Sequence, residues 1–177
     1  MSPTQINGLP AHILLVHVVV ILVPLTALAV VAFAAWPAAR NRLGVVAPLL
    51  ALVALISVPV TTHAGEWLEG RLPSTALIRK HTDLGDGLLP WAFGLFVIAA
   101  VLWFRHHREA PRASVDEPSS HRRGGANGGP VQWTLIALSV VIAVGSVVQV
   151  YRIGDSGAKA AWTGVGTQVQ QGSASTP

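Results

Sequence analysis

The chain contains no cysteine and few charged residues. None of its 177 residues is cysteine, which excludes disulfides, thiolate-bound zinc, iron–sulfur clusters and covalently attached c-type haem. Any metal or cofactor must therefore be held by His, Asp, Glu, Met or the backbone. Only 11% of the residues are charged, against about 25% in an ordinary soluble domain, while 51% are hydrophobic. This balance indicates a surface that faces lipid.

Long stretches of the chain carry no charge of either sign. No Asp, Glu, Lys or Arg occurs before Arg40, and four apolar runs are long enough to cross a hydrocarbon core of about 30 Å as helices. The sequence predicts an all-α fold, an integral membrane four-helix bundle made of two helical hairpins. The predicted transmembrane domain covers residues 1–162, with helices at 12–35, 45–62, 81–106 and 131–152 and a flexible linker at 109–130. Residues 163–177 are predicted to be a disordered tail.

The basic residues lie between the apolar runs. The sequence pI is 10.7 and the net charge is +4, but these residues are not gathered on one face as in a nucleic-acid-binding domain. We expect a lipid bilayer as partner and no nucleic acid. Seven Lys or Arg residues flank one side of the predicted spans and five flank the other. We expect a multi-pass plasma-membrane protein, and this bias predicts that both its termini lie outside.

Two helix faces are predicted to turn into the bundle. In the second helix, alanines recur at a spacing that lets helices approach closely in lipid. In the fourth, polar side chains recur about every seven residues and should avoid lipid. These residues are Ala47, Ala51 and Ala54 in the second helix and Gln132, Ser139, Ser146 and Gln149 in the fourth.

Four histidines, His12, His17, His63 and His81, fall toward one end of the predicted bundle. His17 lies inside an apolar span, where an ionisable group is costly and is a functional-site candidate, although it could instead bond a neighbouring helix or a lipid headgroup. His81 has Gly85 one turn further on, where a flat macrocycle would find room. A histidine pair from two helices is a common way for a helical bundle to hold b-type haem. We predict His17 and His81 as candidate haem-iron ligands, with His63 in reserve.

Two other motifs are weaker. His63 and Glu66 share one helical face, and imidazole with carboxylate suits zinc or another divalent ion, so metal binding or transport is an alternative function. The segment 154–157, Gly-Asp-Ser-Gly, imitates the nucleophile motif of chymotrypsin-like proteases, which has meaning only within a double β-barrel. Gly154 and Gly157 are instead expected to end the fourth helix. No catalytic residue is predicted.

Several of these features occur together in one known family. They are His12 and His17 around an apolar triplet and a valine, Pro24 in the same helix, His81 at the head of the third helix, and the glycine-rich segment 152–159. In these features the chain resembles a family of bacterial predicted membrane proteins, domain of unknown function 2231, over roughly residues 8–162.

The resemblance implies a four-helix membrane domain that some relatives join to Rieske-type or cytochrome c-type domains. This implies electron transfer, favours haem b over a bare metal ion, and suggests a redox or respiratory membrane complex as partner. The competing hypothesis is a non-catalytic accessory or assembly protein of the membrane, in which the polar cluster is a docking surface.

Overall fold

The computed structural model describes residues 5–6, 9–72, 75–109 and 129–163. The predicted linker and tail lie almost entirely outside these residues. A two-residue antiparallel pairing comes first, and six helices follow it. The elements are β1 (Gln5–Ile6), β2 (Leu9–Pro10), α1 (Ala11–Ala35), α2 (Pro37–Leu43), α3 (Val46–Glu69), α4 (Ala76–Asp86), α5 (Leu89–Glu109) and α6 (Pro130–Trp162). The predicted all-α fold is confirmed.

Four spans are long and apolar enough to cross a membrane. They are formed by α1, by α3, by α4 and α5 together, and by α6. Their outward side chains are themselves apolar: Ile21 and Leu28 on α1 are each 68% exposed, and Val141 on α6 is 62% exposed. Water-soluble proteins rarely expose contiguous apolar area of this kind. The chain is therefore a multi-pass membrane protein.

Several helix ends differ from those predicted. α3 continues to Glu69, and α6 continues through Gly154 and Gly157 to Trp162, so the expectation that these glycines end the helix is wrong. A helical glycine costs about 1 kcal/mol relative to alanine. In this part of α6, α4 packs along the helix and its His81 ring lies against Gly157. The polar extensions form one structure, which we call the head. It comprises the first turn of α1, the end of α3, α4 and the last part of α6.

The interior of the bundle is built from small residues and apolar side chains. Ala47, Ala51 and Ala54 are each at most 2% exposed, which confirms the predicted inward face of α3. α3 packs against both α1 and α5. Phe33 and Leu95 are the largest side chains among the fully buried residues. Close approach of the α3 backbone therefore lets larger neighbours fill the core.

The predicted polar stripe of α6 also faces inward. Ser139 and Ser146 are fully buried and Gln149 is 8% exposed. Each serine hydroxyl donates to a carbonyl oxygen four residues earlier on α6, at 2.7 Å. The serines are thus satisfied within their own helix, whereas the glutamines bond to other helices.

The first of these bonds caps the end of α1. Pro37 begins α2 and has no N–H to donate to the carbonyl of Phe33, four residues earlier. Arg40 Nε donates to that carbonyl at 3.0 Å. Gln132 Nε2 donates to the neighbouring carbonyl of Ala34 at 2.7 Å. Side chains from α2 and α6 therefore replace the backbone donors that α1 lacks.

The second bond caps the break between α4 and α5. Leu88 N donates to the carbonyl of Gly85 at 3.1 Å, which leaves the carbonyl of Leu84 without its usual donor four residues on. Gln149 Nε2 donates to that carbonyl at 2.6 Å. Gly87 permits the approach, since a Cβ there would lie 2.9 Å from Gln149 Nε2. The two glutamines are about 25 Å apart along α6, at about 1.5 Å per residue.

We expect Gln149→Met to lower the free energy of unfolding by about 1–3 kcal/mol, because the Leu84 carbonyl would lose its donor away from water. The control is Ser146→Ala, which removes only a hydroxyl bonded within α6 and should cost less than about 1 kcal/mol. Thermal unfolding of both variants in detergent micelles tests this. Equal stability of the two variants would contradict the capping role of Gln149.

A tryptophan of α5 packs directly on the backbone of α6. A Cβ added at Gly145 would overlap the Trp91 ring, so no side chain fits at this position without a shift. A Cβ at Gly154, further along the same helix, would meet nothing within 4 Å. The absence of a side chain at Gly145 therefore determines how closely α5 and α6 approach.

We expect Gly145→Ala to lower the free energy of unfolding by about 1–3 kcal/mol, since Trp91 would have to shift within a packed interface. Gly154→Ala is the matched control and should be neutral or stabilise by up to about 1 kcal/mol, because alanine favours the helix. Unfolding in detergent measures both. The prediction fails if Gly154→Ala is the more damaging change.

A histidine pair as the candidate functional site

Two histidines from different helices meet in the head. His12 lies in the first turn of α1 and His81 lies in the middle of α4. Their ring centroids are 6.3 Å apart and the ring planes are nearly perpendicular, at 85°. Both side chains are half-buried. The head therefore brings together two imidazoles that are far apart in sequence.

The backbone of α3 orients the His12 ring. His12 Nδ1 lies 3.0 Å from the carbonyl oxygen of Thr61. A carbonyl oxygen only accepts, so Nδ1 carries the proton that it donates, and Nε2 of the neutral ring keeps a lone pair. Gly65 makes room for the ring, since a Cβ there would lie 3.0 Å from both Cε1 and Nδ1 of His12.

α6 orients the His81 ring in the same way. His81 Nδ1 lies 3.1 Å from both the carbonyl oxygen of Ile153 and Ser156 Oγ. The Ser156 hydroxyl donates to the Ile153 carbonyl at 2.8 Å, so its oxygen accepts from His81. Gly157 lies against the ring: a Cβ there would be 2.9 Å from His81 Cε1. Nε2 of this ring also keeps a lone pair.

This arrangement matches what metal-ligating histidines require. Such residues donate their second ring nitrogen to a carbonyl or another acceptor, which fixes the tautomer and the ring orientation. Two imidazoles bound to one metal from opposite sides at about 2.0 Å have ring centroids about 6 Å apart. The observed separation of His12 and His81 agrees with this value. The part of the chain that the structure describes contains no group of three or more His, Asp or Glu residues able to hold a metal.

The structure places the other predicted ligand, His17, on the exposed face of α1. Its Nδ1 lies 2.6 Å from the carbonyl oxygen of Ile13, one turn earlier on the same helix. The ring that contacts His81 belongs to His12. The structure therefore brings together His12 and His81, and not the pair chosen from the sequence.

His63 and Glu66 form an exposed pair on the end of α3. His63 Nδ1 is 3.6 Å from Glu66 Oε2, and the two side chains are 83% and 65% exposed. A site of two solvated ligands would gain little from the protein surroundings.

Sequence reasoning missed His12 as a ligand candidate, and it missed Ser156 altogether. Ser156 is 4% exposed and follows Gln149 by seven residues, which is the interval of the polar stripe in α6. The stripe thus continues into the head. The seven-residue interval therefore indicates Ser156, but only if α6 continues past Gly154, where the sequence predicted that it would end.

Comparison of the chain with protein-family models, curated proteins and solved structures gave no match. The resemblance drawn from the sequence stays a prediction.

In the neutral form of the His12 and His81 rings we expect the proton on Nδ1, because their carbonyl partners can only accept. Nitrogen NMR of isotope-labelled protein in bilayers measures this, with His12→Gln and His81→Gln to assign the two signals. His17 Nδ1 also lies near a carbonyl oxygen and His63 Nδ1 near a carboxylate, so His17→Gln and His63→Gln are used to remove their signals from the spectrum. Protonation at Nε2 of His12 and His81 would contradict the described geometry.

Proposed function

We propose that the protein is a membrane electron-transfer component that holds b-type haem in the head, with His12 and His81 as the two axial ligands. The observation that carries this proposal is the contact of the two imidazoles, each anchored through Nδ1. His12 replaces His17 in the ligand pair predicted from the sequence, and His63 stays the reserve.

The surroundings of the pair suit this role. Haem bound by two imidazoles would supply a one-electron redox couple. The carbonyls of Thr61 and Ile153 hold the rings and make their Nε2 atoms stronger metal ligands. Since the rings are oriented before any ligand arrives, binding would lose little side-chain entropy. The position of the pair near the end of the apolar spans would let an external redox partner approach it.

Space is the main demand that haem makes on the head. The cavity of about 130 Å³ beside Ser156 is lined by neither His12 nor His81, so it is not the space for haem. Pockets for organic cofactors have volumes of about 300–1,000 Å³. α4 has no buried residue and joins α5 through the turn at Gly87, so it is the element that would move outward. Haem binding should therefore be accompanied by displacement of α4.

The separation of 6.3 Å between the ring centroids favours a second candidate, in which the two imidazoles bind a bare transition-metal ion. Neutral imidazole is a good ligand for copper and zinc, and the remaining positions could be taken by water. An ion between His12 and His81 would need less space than haem. The function would then be metal binding or transport.

The haem proposal predicts a visible spectrum for the full-length protein purified in detergent from haem-replete cells. The dithionite-reduced sample should show the Soret and α-bands of haem with two imidazole ligands. His12→Ala and His81→Ala should each abolish these bands because each removes an axial ligand. His17→Ala and His63→Ala are the matched controls and should retain them, provided that circular dichroism shows equal helicity.

Each other result has a defined meaning. Wild-type protein without haem bands, but with one copper or zinc per chain that His12→Ala removes, would support the bare-ion candidate. Loss of the bands in His17→Ala but not in His12→Ala would restore the ligand pair predicted from the sequence. Protein with neither haem nor metal would overturn both candidates and favour a non-catalytic accessory protein.

A further inference from the structure

A basic groove runs between α4 and α6 on the surface of the head. Its cavity has a volume of about 130 Å³ and is lined by Lys80, Arg152, Lys159 and the carboxylate of Asp155, together with apolar and hydroxyl side chains. Neither the haem site nor the bare-ion candidate uses these charged residues.

The groove has uncompensated positive charge. Lys159 Nζ donates to Asp155 Oδ2 at 2.7 Å, and this ion pair is neutral as a unit. Within the described residues, Lys80 and Arg152 form no ion pair. Both lie on exposed positions of their helices. Two cations therefore face the groove without an acidic partner.

The depth of the groove corresponds to the headgroup layer of a bilayer. The apolar part of α6, residues 131–150, has about 20 residues and spans a hydrocarbon core of about 30 Å. Arg152 follows this part directly, and Tyr151, which also lines the groove, is 73% exposed like an interfacial aromatic residue. The half-buried Leu77 and Leu84 of α4 supply apolar wall beside the cations.

We propose that this groove binds the headgroup of an anionic phospholipid, with Lys80 and Arg152 contacting the phosphate and Leu77 and Leu84 contacting the start of an acyl chain. Paired cations at headgroup depth attract anionic lipids, and apolar wall beside them distinguishes a lipid from a free anion. A lipid bound here would bridge α4 and α6 and so hold α4 in place. The groove is lined by neither histidine of the pair, although both proposals act on the position of α4.

Native mass spectrometry of the full chain in detergent tests the proposal, with phosphatidylglycerol and phosphatidylcholine as probes. Wild-type protein should prefer phosphatidylglycerol. Lys80→Gln and Arg152→Gln should each weaken its binding about fivefold, and the double variant about thirtyfold, while phosphatidylcholine binding stays constant. The charge-preserving changes Lys80→Arg and Arg152→Lys should retain the preference.

Arg71→Gln is the matched control. Arg71 lies at the same end of the bundle, over the Trp67 ring at 3.5 Å, and outside the groove. Its replacement should change phosphatidylglycerol binding less than about twofold. If the double variant unfolds in detergent, the single Lys80→Gln variant gives the same comparison with a smaller effect.

Three results would overturn the proposal. The first is equal binding of the two lipids by wild-type protein. The second is a double variant that binds phosphatidylglycerol as wild type does. The third is displacement of phosphatidylglycerol by an equal concentration of inorganic phosphate, which would mean that the groove binds anions without regard to lipid.

Discussion

Inside a bilayer, a backbone carbonyl that loses its helical donor must find another, because lipid offers none. Two of the breaks between the described helices, at Pro37 and at Gly87, release such carbonyls near the ends of the apolar spans. Gln132 and Gln149 of α6 donate to the carbonyls that these breaks release. Hydrogen bonds therefore tie α6 to its neighbours at both ends of its apolar part. The hydroxyls of Ser139 and Ser146 instead donate to carbonyl oxygens of α6 itself. The arrangement of the head depends on the second of these ties.

The histidine pair uses the same kind of acceptor. His12 donates to a carbonyl of α3 and His81 to a carbonyl of α6, so each ring bridges two helices. Gly65 and Gly157 let the rings lie directly on these backbones. The packing of each ring thus also determines its tautomer, because the carbonyl that the ring reaches holds the proton on Nδ1 and leaves Nε2 of the neutral ring unprotonated. An Nε2 lone pair on a ring of fixed orientation is able to bind a metal.

α4 links the proposed haem site and the proposed lipid site. One side of this helix carries His81, which bonds α6, and its Lys80 lines the basic groove. It has no buried residue, and its half-buried Leu84 packs against the core, so polar contacts with α6 and any ligand beside it contribute to its position. A lipid in the groove would favour the position described here, whereas haem would favour an outward one. The haem proposal and the lipid proposal therefore predict opposite effects on the position of α4.

Composition and patterning alone determined that the protein belongs in a membrane, where its four spans lie, and which faces of α3 and α6 turn inward. The reason is that lipid excludes charged side chains and offers no hydrogen-bond partner to an amide or a hydroxyl. The sequence did not determine which histidines meet. His17 looked the better candidate since it lies deeper in an apolar run, yet helix rotation places it outward and His12 inward. The continuation of α6 through Gly154 and Gly157 was likewise not contained in local propensity, since glycine alone is a weak helix former. In the fold α4 packs along α6, and the His81 ring lies where a side chain at Gly157 would be. The rotation of each helix about its axis and its register against its neighbours follow from contacts between helices. The periodicity of a single helix does not specify those contacts.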